Sequence, residues 1–248
     1  MAVGGIFVTG TGTEVGKTVV AAAIAHTLAT EDKRVHVFKP AVTGLDELPA
    51  GGPRSRPSGD ISSHLTPPDH ELLRLAAGSK QSDEEVAPYR YGPPASPHLA
   101  ASMAGEEIDP ERLLEAARGA AAEADALVCE GVGGLLVPLA GRFSGSIAEK
   151  SAPPYLVRDL AADLGYPLVI AASPGLGTIN HALLTIAAAR AAGLEVAAVV
   201  LTPWPEQPGE IEHSNRETIA SLGAVEVRTL PHLDLTAPAT WPPLRFRR

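Results

Sequence analysis

Lys17, Thr18, Lys39 and Glu130 are the residues of this chain whose types and neighbours point to chemistry. The first two close the run Ile6-Phe7-Val8-Thr9-Gly10-Thr11-Gly12-Thr13-Glu14-Val15-Gly16-Lys17-Thr18, an apolar segment entering a glycine-rich loop that ends on Gly-Lys-Thr. Such a loop turns backbone N–H groups onto the β- and γ-phosphates of a nucleotide, its lysine adds charge, and its threonine offers a hydroxyl to Mg²⁺. Thr13, Glu14, Val15, Gly16, Lys17, Thr18 and Val19 form the expected nucleotide cradle. The common pattern asks for glycine at position 11, yet glycines stand at 10 and 12, so the loop is a variant. Gly-Lys-Thr alone is a frequent tripeptide and glycines after a strand can simply make a turn. The strand before the loop and the alanine-rich helical stretch Thr18–Thr30 after it favour phosphate binding.

Lys39 stands in Phe38-Lys39-Pro40-Ala41-Val42-Thr43-Gly44, where a second cation would reach the γ-phosphate. Taken alone, a strand-end lysine reads more readily as a solvated one. Glu130 follows Leu127-Val128-Cys129 and precedes Gly131-Val132-Gly133-Gly134. In enzymes with a phosphate loop, an acid there meets Mg²⁺ directly or through water.

These residues need elements to hold them. Apolar, β-prone runs at Gly5–Val8, Val35–Phe38, Leu127–Cys129, Leu168–Ala172, Val196–Leu201 and Val225–Leu230 read as strands. Helical stretches lie between them at Lys17–Ala29, Pro110–Ala124, Tyr155–Leu164, Ile179–Ala192 and Ile211–Leu222. The alternation predicts an α/β fold with a mainly parallel sheet covered by helices on both faces, in which ligands sit beyond the carboxyl ends of the strands. Asp109-Pro110-Glu111 has the form of a helix start, and Gly193 that of a stop. After the fourth strand come Gly177, Thr178, Asn180 and His181, readable as turn glycines before a helix cap. Thr202 after the fifth strand, and Pro231, His232 and Leu233 after the sixth, could border a base. No His or Cys spacing supports a transition-metal site at His181 or His232.

The 248 residues suit a single domain spanning 1–248, interrupted by an irregular Gly, Pro and Ser-rich stretch at Gly44–Pro68. Twenty Lys and Arg against 29 Asp and Glu give a charge of -9, which argues against a nucleic-acid partner. The longest apolar runs are strand-sized and the N-terminus lacks a secretory layout, so a soluble cytoplasmic protein without membrane attachment is expected. Cys129, the sole cysteine, reads as a buried small side chain and not as a nucleophile.

The strand ends taken together resemble the ATP-dependent dethiobiotin synthetases, and the resemblance spans the chain. The likeness rests on Val8 to Thr18, Lys39-Pro40 with Thr43-Gly44, Ser96-Pro97-His98, Glu130 to Gly134, and Gly177-Thr178-Ile179-Asn180-His181. The loop is the most diagnostic, since the family has the long spacing from Gly10 to Gly16 with Thr-Glu-Val before Gly-Lys-Thr. The resemblance implies a single-domain P-loop fold, a homodimer, and a ligase that carboxylates 7,8-diaminononanoate with CO₂ and closes the ureido ring with ATP and Mg²⁺. It implies Lys39, with Lys17, as catalytic lysine, and Thr18, Glu130 and a further acid at the metal. Asp69, which opens a plausible helix, fits that acid better than Asp60. Nucleotide contacts would extend through Asp69 and Glu130, Gly131, Val132 and Gly133 to Thr202, Pro231, His232 and Leu233. Thr43, Gly177, Thr178 and Asn180 would meet the substrate, the last three from a second subunit.

Departures narrow the expectation. Where the family often has Asn-Asp after the fifth strand, this chain has Leu201-Thr202, which loosens selection of the base. A cobyrinic acid diamide synthetase would bring a glutaminase domain for which the chain has no room. A partition-type ATPase would carry an extra lysine at the position of Gly12.

Overall fold

The computed structural model describes residues 4–47, 67–141 and 153–246. Six strands form a parallel sheet in the order β2-β3-β1-β6-β7-β8. They are β1 (Gly4–Gly10), β2 (Val35–Phe38), β3 (Ala126–Gly134), β6 (Leu168–Ala172), β7 (Val196–Trp204) and β8 (Glu226–Pro231). Two short strands, β4 (Pro138–Ala140) and β5 (Tyr155–Leu156), pair antiparallel apart from it. The helices are α1 (Lys17–Ala29), α2 (Asp69–Ala77), α3 (Asp83–Val86), α4 (Pro97–Met103), α5 (Pro110–Ala122), α6 (Val157–Leu164), α7 (Thr178–Ala191) and α8 (Glu210–Gly223).

Strand side chains alternate between two cores, one on each face of the sheet. Phe7, Leu127, Cys129, Leu168, Ile170 and Leu201 belong to one. Val8, Val128, Val169, Ala171 and Val200, their immediate neighbours, belong to the other, which also holds the buried residues of α1 and α2. Both faces are thus covered, and the strands read as near-continuous apolar runs. The second core is closed by the C-terminal segment, where Trp241 meets the His26 ring edge-on at 5.5 Å and the Leu244 N–H donates to Thr27 Oγ1 at 2.9 Å.

Four expectations shift. β3 does not stop at Cys129 but continues through the glycines to Gly134, because Gly10 of β1 pairs with Gly134 after a register change, so Glu130 lies inside a strand. Tyr155 and Leu156 are strand, not helix; the Leu156 N–H donates to Asp159 Oδ2 at 2.8 Å and starts α6 at Val157. Gly177, with φ of 89°, takes the cap position ahead of α7, so the helix opens at Thr178, one residue before the expected Ile179. Within the stretch expected to be irregular, Leu45–Glu47 form a 3₁₀ turn, while Asp60 lies outside the described residues. The helix start at Asp109 is as expected, its carboxylate accepting from the Glu111 N–H at 2.9 Å.

Candidate active site

Strand register and parity bring the chemistry-bearing residues together. Phe38 pairs with Cys129 at the end of the β2–β3 ladder, so one further step sets Lys39 beside Glu130. Val8 pairs with Glu130 on the other side. Phe38 and Cys129 point into one core, so the alternation sends Lys39 and Glu130 to the opposite face, where α1 and α2 pack. The second residue of α1 is Thr18 and the first of α2 is Asp69. An acid in the first turn of a helix is stabilised by the helix dipole, which suits Asp69 there.

The result is a tight polar knot at the edge of an apolar core. Lys39 Nζ donates to Asp69 Oδ2 and to Glu130 Oε1, both at 2.7 Å. Thr18 Oγ1 donates to the same Glu130 oxygen at 2.9 Å. Glu130 is fully buried and Lys39 nearly so, while the Asp69 side chain is half open. Burial alone would drive the Lys39 ammonium toward neutrality, but the Asp69 and Glu130 carboxylates outweigh it and hold its pKa above the ordinary lysine value. Burial raises the pKa of Glu130, helped by the nearby Asp69 charge and opposed by Lys39. For Asp69 the cost of burial is outweighed by Lys39 and by the Thr18 hydroxyl, and its pKa falls. Lys17 is lowered by burial and by Lys39, against the pull of Glu130.

In the phosphate loop, Lys17 Nζ donates to Gly12 O at 2.7 Å, folding the lysine over the loop's own backbone. Gly16 adopts φ of 84°, and a Cβ there would stand 2.5 Å from Thr202 Cγ2. Only glycine satisfies both demands. Thr202, at the carboxyl end of β7 and almost fully buried, therefore backs the loop directly with its methyl group. Pro231 ends the neighbouring strand β8, with His232 exposed and Leu233 buried after it. Thr13 and Glu14 are exposed at the loop tip, where Glu14 has φ of 58°, and Val15 and Val19 are half-buried.

Thr43 lies half-buried just after the bridge between Val42 and Arg90. Ser96 precedes α4, which Pro97 opens. Gly177, Thr178 and the exposed Asn180 occupy the start of α7 after β6, at the same carboxyl edge of the sheet as Lys39, but no described hydrogen bond joins them to the Lys39 knot. Thr178 is 3 % exposed and its hydroxyl has no hydrogen-bond partner among the described residues.

Two positioning residues escaped sequence reasoning. Gln81 lies against the edge of β2 that no described strand pairs with, where its amide accepts from Val37 N–H at 2.8 Å and donates to Val37 O at 3.1 Å. A side-chain amide thereby stands in for a missing strand, two residues before Lys39. Asn215 of α8 donates to Pro174 O at 2.9 Å and Gly175 O at 3.1 Å, holding the loop that leads to Gly177. Nothing in the spacing around either residue marks it out.

Thr18, Asp69 and Glu130 present hard oxygen donors of the kind Mg²⁺ takes, and Glu130 Oε2 is buried with no hydrogen-bond partner among the described residues. That orphaned oxygen makes the trio a fitting cation set. His70, Glu71 and Asp83 also bring ligand atoms within 4.8 Å of one another. There Arg74 Nε lies 3.7 Å from Asp83 Oδ1, so the counter-charge is already supplied.

The chain matches the family model described as an AAA domain over residues 4–240. It is 37 % identical over 245 residues to "ATP-dependent dethiobiotin synthetase BioD" of Anaeromyxobacter dehalogenans (strain 2CP-C), covering 98 % of this chain and 93 % of that one. The protein of the same name from Bacillus cereus (strain ATCC 14579) is 37 % identical over 223 residues, 90 % of this chain and 81 % of its own length. That from Bacillus subtilis (strain 168) is 31 % identical over 223 residues, covering 90 % of this chain and 84 % of its own. Among solved structures, the MinC:MinD cell division protein complex of Aquifex aeolicus matches with a TM-score of 0.51 at 15 % identity, covering 93 % of this chain and 82 % of that one, a likeness of fold.

Proposed function

The chain belongs to the ATP-dependent dethiobiotin synthetase family, and from that premise we propose that it carboxylates 7,8-diaminononanoate with CO₂ and closes the cyclic urea of dethiobiotin at the expense of ATP. The observation that carries the proposal is the Lys39 ammonium held between Asp69 and Glu130, on the sheet face where Lys17 and Thr18 end the phosphate loop.

One substrate amine captures CO₂ as a carbamate, and a carbamate oxygen displaces ADP from the γ-phosphorus. The second amine then attacks the carbonyl carbon of the resulting carbamic-phosphate anhydride, expels phosphate and closes the ring. No bond to an enzyme nucleophile forms, so the buried, raised-pKa thiol of Cys129 has no part in it. Two anions must approach in the first displacement, and charge gathers on the phosphoryl group in flight, so the protein's task is placement and neutralisation. Lys17 and the loop from Thr13 to Val19 hold the β- and γ-phosphates. Lys39 serves the oxygens exchanged between carbamate and γ-phosphorus, and Thr43 contacts the substrate beside it. Thr18, Asp69 and Glu130 would hold Mg²⁺, which when bound draws charge from the phosphate oxygens. Gly131, Val132 and Gly133 flank the nucleotide, and Thr202, Pro231, His232 and Leu233 border the base without a side-chain amide.

Gly177, Thr178 and Asn180 meet the substrate's carboxylate end from a second copy in a homodimer. The orphaned Thr178 hydroxyl and Leu176, 97 % exposed beside it, support that reading. Among the described residues no helix is long and apolar enough to cross a membrane; composition favours action in the cytoplasm.

Incubating the purified protein with diaminononanoate, MgATP and labelled bicarbonate should give an acid-stable labelled product and one ADP per ring closed. Absence of label with both substrates present refutes the synthetase assignment.

A further inference from the structure

Lys39 and a divalent cation have claims on the same two carboxylates. Asp69 Oδ2 and Glu130 Oε1 each lie 2.7 Å from the Lys39 ammonium, and Thr18 Oγ1 lies 2.9 Å from that same Glu130 oxygen. The ammonium therefore sits among the donors that fit the metal. Two positive centres cannot share a carboxylate pair at such distances without strong repulsion, least of all beside a fully buried glutamate. The local charge count sharpens the point: Lys17 and Lys39 balance Asp69 and Glu130, so the knot is neutral as it stands and offers a bare cation no net attraction. A triphosphate, with its several negative charges, reverses that balance.

We infer that Lys39 is a resident counter-ion that keeps bare divalent cations away from Asp69 and Glu130, and that the cation enters only together with the triphosphate, freeing the Lys39 ammonium for the reacting oxygens in the same event. The backbone need not move. Phe38 is fully buried just before the lysine, and the Lys39 N–H donates to Val86 O at 2.8 Å, so the exchange is confined to a long, unbranched side chain. Arming of the lysine is thereby tied to arrival of the complete metal-nucleotide, and the protein without nucleotide keeps its lysine sheathed. The inference rests on reading Asp69 and Glu130 as the metal acids.

Mn²⁺ binding to the full chain in the absence of nucleotide, followed by the electron paramagnetic resonance of the free ion, tests it. The unaltered protein should bind Mn²⁺ weakly, whereas Lys39→Met should gain one site at least tenfold tighter, which disappears again in Lys39→Met/Glu130→Gln. Lys39→Gln, which keeps a hydrogen-bonding group without the charge, repeats the measurement if the methionine variant does not fold. A tight nucleotide-independent Mn²⁺ site in the unaltered protein overturns the inference, and that result needs no variant. So does a Lys39→Met site that is no tighter, or one that survives Glu130→Gln. Turnover of labelled bicarbonate is read separately: product without the Mn²⁺ gain removes the counter-ion role alone, and the Mn²⁺ gain without product removes the synthetase assignment alone.

Discussion

At the scale of single residues, Lys39 and Lys17 have different duties although both are buried lysines near the same carboxylates. Lys17 belongs to the loop, folded onto Gly12 O, whereas Lys39 reaches across from a neighbouring strand. Lys39→Ala should therefore lower kcat by about 10²–10³-fold, the usual cost of losing one charge-stabilising group, while nucleotide affinity measured by calorimetry changes only a few-fold. An equal loss of nucleotide binding would make Lys39 part of the nucleotide site alone. The sequence already marked Lys17, Thr18, Lys39 and Glu130, because a loop ending on Gly-Lys-Thr and polar groups at the ends of apolar runs are local signals. Their meeting was not legible, since it depends on β2 and β1 flanking β3, strands separated by about ninety residues of chain or more.

At the scale of elements, β2 is a four-residue edge strand that must aim Lys39, and among the described residues its outer side has no neighbouring strand. Gln81 answers both polar groups of Val37 there, in a buried setting. Gln81→Ala would leave an N–H and a carbonyl unpaired, at a cost of about 1–3 kcal/mol in urea unfolding, and lower kcat more than it raises KM for the nucleotide. Gln81→Glu, which keeps the acceptor and loses the donor, should recover part of both. An alanine variant with unaltered kcat would mean that β2 aims Lys39 without help. Sequence gave no warning of Gln81, because side-chain mimicry of a strand has no spacing of its own. It did foretell all six strand cores of the parallel sheet, since β strands buried on both faces announce themselves as unbroken apolar runs. The strand-to-helix change at Leu156 went unseen for the opposite reason, a two-residue strand being too short to show a period.

For the molecule as a whole, the two faces of the sheet carry different loads: one core lies under α5 to α8, the other under α1, α2 and the C-terminal segment. His70 of α2 is buried on the second side, and burial lowers its pKa from the ordinary 6.5 despite the pull of Asp83. Below pH 6.5 the unfolded chain takes up a proton that the folded one resists, so the folded state loses ground as pH falls through that window. Thermal unfolding from pH 7.5 down to 5 should show this as a loss of at most about 1.4 kcal/mol per pH unit, flattened in His70→Asn. Parallel profiles for the two proteins would assign the acid sensitivity elsewhere. The bond from the Leu244 N–H to Thr27 joins positions 217 apart in the chain. A ribosome adding some 5–20 residues per second needs on the order of ten to forty seconds to travel that distance. Throughout that interval the apolar flank of α1 waits for its cover, so a nascent chain halted shortly before Trp241 would present an open core to chaperones and proteases, and quality control would act on its last few residues.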